Sequence, residues 1–140
     1  MSPDDGATSR KVIAAAMRVH SEIGPGLLES TYEACLALEL RSRGHDVRTQ
    51  VPVPIVYRGT ELPHGLRLDL LIDDEIVVEV KTVEKLALVH ETQLLTYLRF
   101  SHHRIGLLIN FHTAHLRDGI KRMVNGWESG GSQVPASRSS

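Results

Sequence analysis

Two consecutive apolar runs carry an Asp and then a Glu-x-Lys. The first is Leu66-Arg67-Leu68-Asp69-Leu70-Leu71-Ile72-Asp73; the second is Ile76-Val77-Val78-Glu79-Val80-Lys81-Thr82-Val83. Both read as strands, because they are rich in branched apolar residues and joined by the polar turn Asp73-Asp74-Glu75. Side chains alternate between faces along a strand, so Glu79 and Lys81 share a face. A hairpin in one register gathers Asp69, Glu79 and Lys81 into a single cluster. Two carboxylates and an ammonium in an apolar sheet are costly without compensation. A hard divalent cation such as Mg²⁺ supplies it, held by the Asp69 and Glu79 carboxylates and a neighbouring main-chain carbonyl, with positions left for water and phosphate. Lys81 then stands beside the attacking water and the phosphate under attack. This is chemistry for phosphodiester hydrolysis.

Glu-x-Lys also forms plain salt bridges on solvated strands. Three features favour the chemical reading here. The other strand positions are almost continuously apolar, as in a sheet covered on both sides. Asp69 is flanked by Leu68 and Leu70, so it is not a loop carboxylate. Matching polar residues also occur on a helix further along.

The chain that must position these groups has 140 residues, enough for one domain with a real core. Aromatic residues make up only 4%, so the core must be built from Leu, Ile, Val and Ala. No apolar run spans a bilayer. The acidic start, Met1-Ser2-Pro3-Asp4-Asp5, does not read as a secretory signal. The single Cys35 fits a reducing cytoplasm and reads as a small apolar helix residue. A net charge of −1 argues against coating nucleic acid by bulk charge, but not against a nuclease, whose site needs carboxylates. Between Arg99 and Arg122, Arg99, Arg104, Arg117, Lys121 and Arg122 face one acid, Asp118. That segment is either a phosphate-facing edge or a solvated positive face.

Helical spacing of Val12, Ala16, Val19 and Ile23 predicts a first helix capped by Thr8 or Ser9 and broken at Gly24-Pro25-Gly26. A second helix is expected from Leu28 to Arg43, with Gly44 as its stop. Val47 to Tyr57 reads as an extended strand that Pro52 and Pro54 confine to an edge or a bulge, followed by a turn at Arg58-Gly59-Thr60. A third helix is expected from Val89 to Phe100 and a buried strand from Arg104 to Phe111. Ala114 to Val124 reads equally as a strand or a short helix. Residues 1–127 form the expected domain, and Gly- and Ser-rich 128–140 an expected disordered tail. The order implies a mixed sheet flanked by helices.

In the third helix His90, Gln93 and Tyr97 form one stripe. Gln and Tyr can orient a carboxylate, water or phosphate; a polar edge on an amphipathic helix gives the same pattern. Glu29 and Tyr32 face together at the start of the second helix, where a lone Glu commonly serves the helix dipole.

These residues together resemble the PD-(D/E)XK nuclease superfamily, and more narrowly the GxxExxY protein family. Gly26-Leu27-Leu28-Glu29-Ser30-Thr31-Tyr32 is similar to the name-giving motif of the latter. Asp69 with Val78-Glu79-Val80-Lys81 resembles the nuclease core, with Leu68 where the superfamily's proline often stands. Gln93-Leu94-Leu95-Thr96-Tyr97 resembles its Q-x-x-x-Y element, and Leu107 to Phe111 the strand that follows. The resemblance implies a restriction-endonuclease-like αβββαβ core, an α/β (α+β) fold with a central mixed sheet, and a Mg²⁺ site. It implies catalytic roles for Asp69, Glu79, Lys81 and Glu29, metal binding by Asp69, Glu79 and Val80, and substrate-orienting roles for Gln93, Tyr97 and Tyr32. Glu29 is expected to reach the metal through water or to hold a second ion. The helices bearing Glu29 and Gln93 are expected to pack on the same side of the sheet so that both reach the cluster, and a shared site depends on it. The expected partner is nucleic acid, with DNA favoured, and a homodimer or larger assembly is left open. The rival readings are a catalytically silent nucleic-acid-binding or regulatory subunit of a larger assembly, and a structural or dimerising module whose charges form ion pairs.

Overall fold

The computed structural model describes residues 6–126, so the expected tail over 128–140 lies outside the described residues. Two helices come first, α1 (Ala7–Ile23) and α2 (Glu29–Ser42). Three strands follow: β1 (Val47–Tyr57), β2 (Thr60–Ile72) and β3 (Ile76–Lys81). Then come α3 (Leu88–Ser101), β4 (Ile105–Asn110), a 3₁₀ turn at Leu116–Gly119 and β5 (Ile120–Val124). The αβββαβ order is therefore present from α2 to β4, with α1 added before it and β5 after. No described helix is long and apolar enough to cross a membrane.

Several boundaries depart from the sequence reading. Helix α1 starts at Ala7 behind Gly6, whose φ of 103° makes the entry turn. Neither Thr8 nor Ser9 is the cap; Ser9 lies inside the first turn and donates to the Gly6 carbonyl at 3.3 Å. Strand β2 begins six residues before Leu66, because β1 and β2 continue as a hairpin that pairs Tyr57 with Thr60. Strand β3 stops at Lys81. The ambiguous segment resolves into the 3₁₀ turn and an edge strand.

The sheet order is β1-β2-β3-β4-β5. All neighbours are antiparallel except β3 and β4, which run parallel and are connected through α3. A parallel pair needs such a crossover, and its strands are covered on both faces. One face carries α1 and α2 through Val12, Ala16, Leu36 and Leu40. The other carries α3 through Leu94 and Leu98. Gly106 allows α3 to sit close, since a Cβ there would meet Leu94 at 2.9 Å.

Strands β3 and β4 alternate strictly. Val78 and Val80 enter the α1–α2 core while Val77 enters the α3 core. Strands β1 and β2 do not alternate throughout. Leu70 and Ile72 join the α1–α2 side, yet Leu68 joins the α3 side. Val47 and Val51 split in the same way. Both strands thus change face where Thr49 pairs Leu70 and Val51 pairs Leu68, at Gln50 and Asp69. Gln50 has a φ of 52°, a rare conformation for a side-chain-bearing residue.

Candidate active site

The β2–β3 ladder pairs Ile72 with Ile76, Leu71 with Val77 and Leu70 with Val78, and ends there. Asp69 and Glu79 come next, and their carboxylates take over the bonding between the strands. Glu79 Oε2 accepts the Asp69 amide at 3.1 Å, and Asp69 Oδ2 accepts the Val80 amide at 2.9 Å. Because β2 changes face at Asp69, its side chain reaches sideways to β3 instead of into either core. Glu79 is 4% exposed, while Asp69 and Lys81 are half-buried.

This placement is electrostatically unfavourable for two bare carboxylates. Burial, and then the Asp69 charge, push Glu79 up to about 9. Burial also raises Asp69, with Glu29 adding to the effect while the Val80 amide and Lys81 oppose it. Like charges in a low-dielectric site disfavour joint ionisation. Strongly perturbed acids of this kind mark functional clefts more often than plain surfaces.

The helices meet the cluster from opposite faces of the sheet, not from the one side expected; what they share is the end of β3. From α3, Gln93 Oε1 accepts from Lys81 Nζ at 3.1 Å. Tyr97 lies near enough that burial first, and then the Glu79 and Asp69 charges, raise its hydroxyl. From α2, Glu29 Oε2 accepts the Thr82 amide at 3.0 Å, one residue beyond Lys81. Glu29 is exposed and also acts on Asp69 through its charge. Asp69, Glu79, Lys81, Gln93, Tyr97 and Glu29 therefore converge on the end of β3.

Tyr32 stands apart from this group. It is fully buried and stacks on Phe111 at 4.4 Å. Its hydroxyl donates to the Gly24 carbonyl and accepts from the Leu27 amide. Its hydroxyl thus holds the turn that leads into Glu29. His90, on the Gln93 stripe by spacing, is used as a helix cap: its Nδ1 accepts the Ala87 amide at 2.9 Å.

Sequence reasoning missed three residues. Glu33, one turn after Glu29, receives both hydrogen bonds from Gln50 Nε2, at 2.9 and 3.0 Å. Burial, outweighing that bond, raises Glu33, and the Asp69 and Glu29 charges add to the rise. Asn110, 2% exposed, accepts the Val83 amide at 3.0 Å and donates to the Val83 carbonyl at 2.9 Å, pinning the segment after Lys81. The Glu29-to-Glu33 spacing was available as a signal; the pairings of Gln50 and Asn110 depend on long-range folding.

A groove of about 620 Å³ runs between β1, β2 and the C-terminal end of α3, lined by Leu68, Leu71 and Phe100 and by none of the cluster residues. Arg48 and Arg99 lie along it.

Comparison with family models matches residues 6–123 to the PD-(D/E)XK nuclease superfamily. The chain belongs to that superfamily. The five-stranded mixed sheet with its three helices is the restriction-endonuclease-like α+β fold of a PD-(D/E)XK protein. Comparisons with curated proteins and with solved structures return no match.

Proposed function

We propose that this PD-(D/E)XK protein is a divalent-metal-dependent nuclease that hydrolyses phosphodiester bonds, with DNA as the favoured substrate. The observation that carries the reading is the buried Glu79 paired with half-buried Asp69, with Lys81 beside them. A degenerate binding subunit has no reason to keep two costly carboxylates and the ammonium together.

The donor set fits a hard cation. Among the described residues no group of three His, Cys, Asp or Glu side chains is gathered as a metal cage. Mg²⁺ is commonly held by one or two carboxylates, water and substrate phosphate, so two are enough. Asp69 and Glu79 each accept a main-chain amide and are hydrogen-bonded to each other, a contact that a cation between them would replace. The Val80 carbonyl is the third proposed ligand, and Glu29 acts through water or at a second ion. When bound, the cation supplies Lewis acidity toward phosphate oxygens and makes a nearby water more acidic. Lys81 places positive charge against the phosphate and orients the attacking water. Gln93 holds Lys81 in that position. Tyr97 donates toward the phosphate backbone.

The test is a crystal structure with Mn²⁺ and its anomalous signal. A peak bridging Asp69 and Glu79 supports the reading. Mn²⁺ absent from that pair at saturating concentration removes its metal half and leaves an ion-pair network.

A further inference from the structure

Gln50 lies outside every role assigned above, and its geometry is unusual. It sits inside an eleven-residue strand, yet its φ is 52°. Strand residues have negative φ, and a left-handed residue turns the chain. Gln50 and Asp69 are the opposed positions that the β1–β2 register skips, between Thr49↔Leu70 and Val51↔Leu68. At this point both strands exchange the faces of the sheet. Without the exchange, Asp69 would alternate with Leu68 and Leu70 and project squarely from one face. With it, Asp69 reaches Val80 across the gap. The Gln50 side chain is also held: its amide donates to both oxygens of Glu33 in α2. Strained backbone persists where surrounding contacts over-determine it, and such sites concentrate around function.

We infer that Gln50 is a positioning residue for the carboxylate pair. Its left-handed turn, locked by Glu33, sets the face switch that delivers Asp69 to Glu79. This rests on the nuclease reading above, because the position of Asp69 has consequence only if the pair binds metal and acts. Glu33 is the second half of the device. It ties α2 to β1 at the level of Asp69, one turn from Glu29.

The experiment titrates Mn²⁺ by calorimetry and measures metal-dependent cleavage by the full chain, with folding followed by thermal melts. Gln50→Gly keeps the turn and loses the amide. Gln50→Val opposes the turn and loses the amide. Gln50→Asn keeps an amide on a residue that tolerates left-handed backbone. Supporting residues around a metal site typically change affinity or activity by about 10- to 100-fold. Gln50→Val is expected at the upper end of that range, Gln50→Gly and Glu33→Ala at the lower end, and Gln50→Asn closer to wild type. The double variant Gln50→Gly with Glu33→Ala should lose no more than either single change, because both break one contact. If Gln50→Val does not fold, the Gly, Ala and double variants decide alone. A merely structural Gln50 would lower the melting temperature and leave Mn²⁺ affinity and turnover of the folded protein unchanged; that result overturns the inference. Wild type that neither binds Mn²⁺ nor cleaves overturns the nuclease reading itself, and this inference with it.

Discussion

Lys81 Nζ donates to Gln93 Oε1 at 3.1 Å, so the only contact that fixes the ammonium of the motif by hydrogen bond among those described comes from α3. The helix is set close to the sheet by the absence of a side chain at Gly106. Catalytic geometry in β3 therefore depends on how α3 packs. Gln93→Ala should release Lys81 while both carboxylates stay in place. The expected outcome is a loss of about tenfold or more in turnover with Mn²⁺ affinity nearly unchanged. Parallel cleavage kinetics and Mn²⁺ titration check it.

The Glu79 carboxyl, raised by burial and by Asp69 to about 9, ties stability to pH. The unfolded chain releases this proton near 4.5, whereas the metal-free folded chain keeps it to about 9. Across that window the unfolded state binds fewer protons, so stability falls as pH rises. Its contribution is complete below the lower value and gone above the upper one. Urea unfolding in chelator across the window should show this slope, and Glu79→Gln should flatten it.

Metal should reverse that penalty. A ligand that binds only the native state stabilises by mass action, about 2.7 kcal/mol at a hundred times its Kd. Wild type should therefore melt higher in Mn²⁺ or Mg²⁺. Binding should also displace a proton, so that affinity rises with pH. Asp69→Asn should abolish the metal-induced rise. Above about pH 9, where Glu79 loses its proton, the substitution should also stabilise the metal-free protein, because it removes the charge next to Glu79. Melts of both proteins with cation and with chelator check the two signs.

Tyr32 holds the turn that precedes Glu29 and stands outside the carboxylate pair. Tyr32→Phe keeps the stack on Phe111 and removes the hydroxyl shared by Gly24 and Leu27. Leaving those main-chain groups unsatisfied should cost about 1–3 kcal/mol. Denaturant unfolding measures the loss. Mn²⁺ affinity at the Asp69–Glu79 pair should stay near wild type.

Local pattern carried much of this structure. The apolar runs around Asp69 and Glu79 gave strands, and their alternation placed Glu79 with Lys81. The turn at Asp73 and Asp74 shows positive φ at both residues, as a tight hairpin requires. Gly44, at a φ of 93°, ends α2 as expected. The failures share a physical cause. Gln50 breaks the period-two rule through a backbone turn stabilised by Glu33, seventeen residues away. Asn110 looked like one more residue of a buried strand, and its amide instead clamps Val83 across 27 residues. Tyr32 shares a helical face with Glu29, but helix pitch alone does not say which of the two is packed under Phe111. The Thr8 and Ser9 caps failed because a glycine one turn earlier makes the entry turn by itself.

The central claim, metal-dependent phosphodiester hydrolysis at the Asp69–Glu79–Lys81 cluster, is tested most directly by Lys81→Ala. Cleavage of single- and double-stranded DNA is measured in Mg²⁺ and in Mn²⁺ beside wild type, together with Mn²⁺ binding. Wild type should cleave. Lys81→Ala should bind Mn²⁺ as wild type does and lose about 10²–10³ in rate. Lys81→Arg should not restore it, because a broad planar guanidinium replaces a compact ammonium. Equal cleavage by wild type and Lys81→Ala, or no cleavage by wild type on any nucleic acid, would contradict the account.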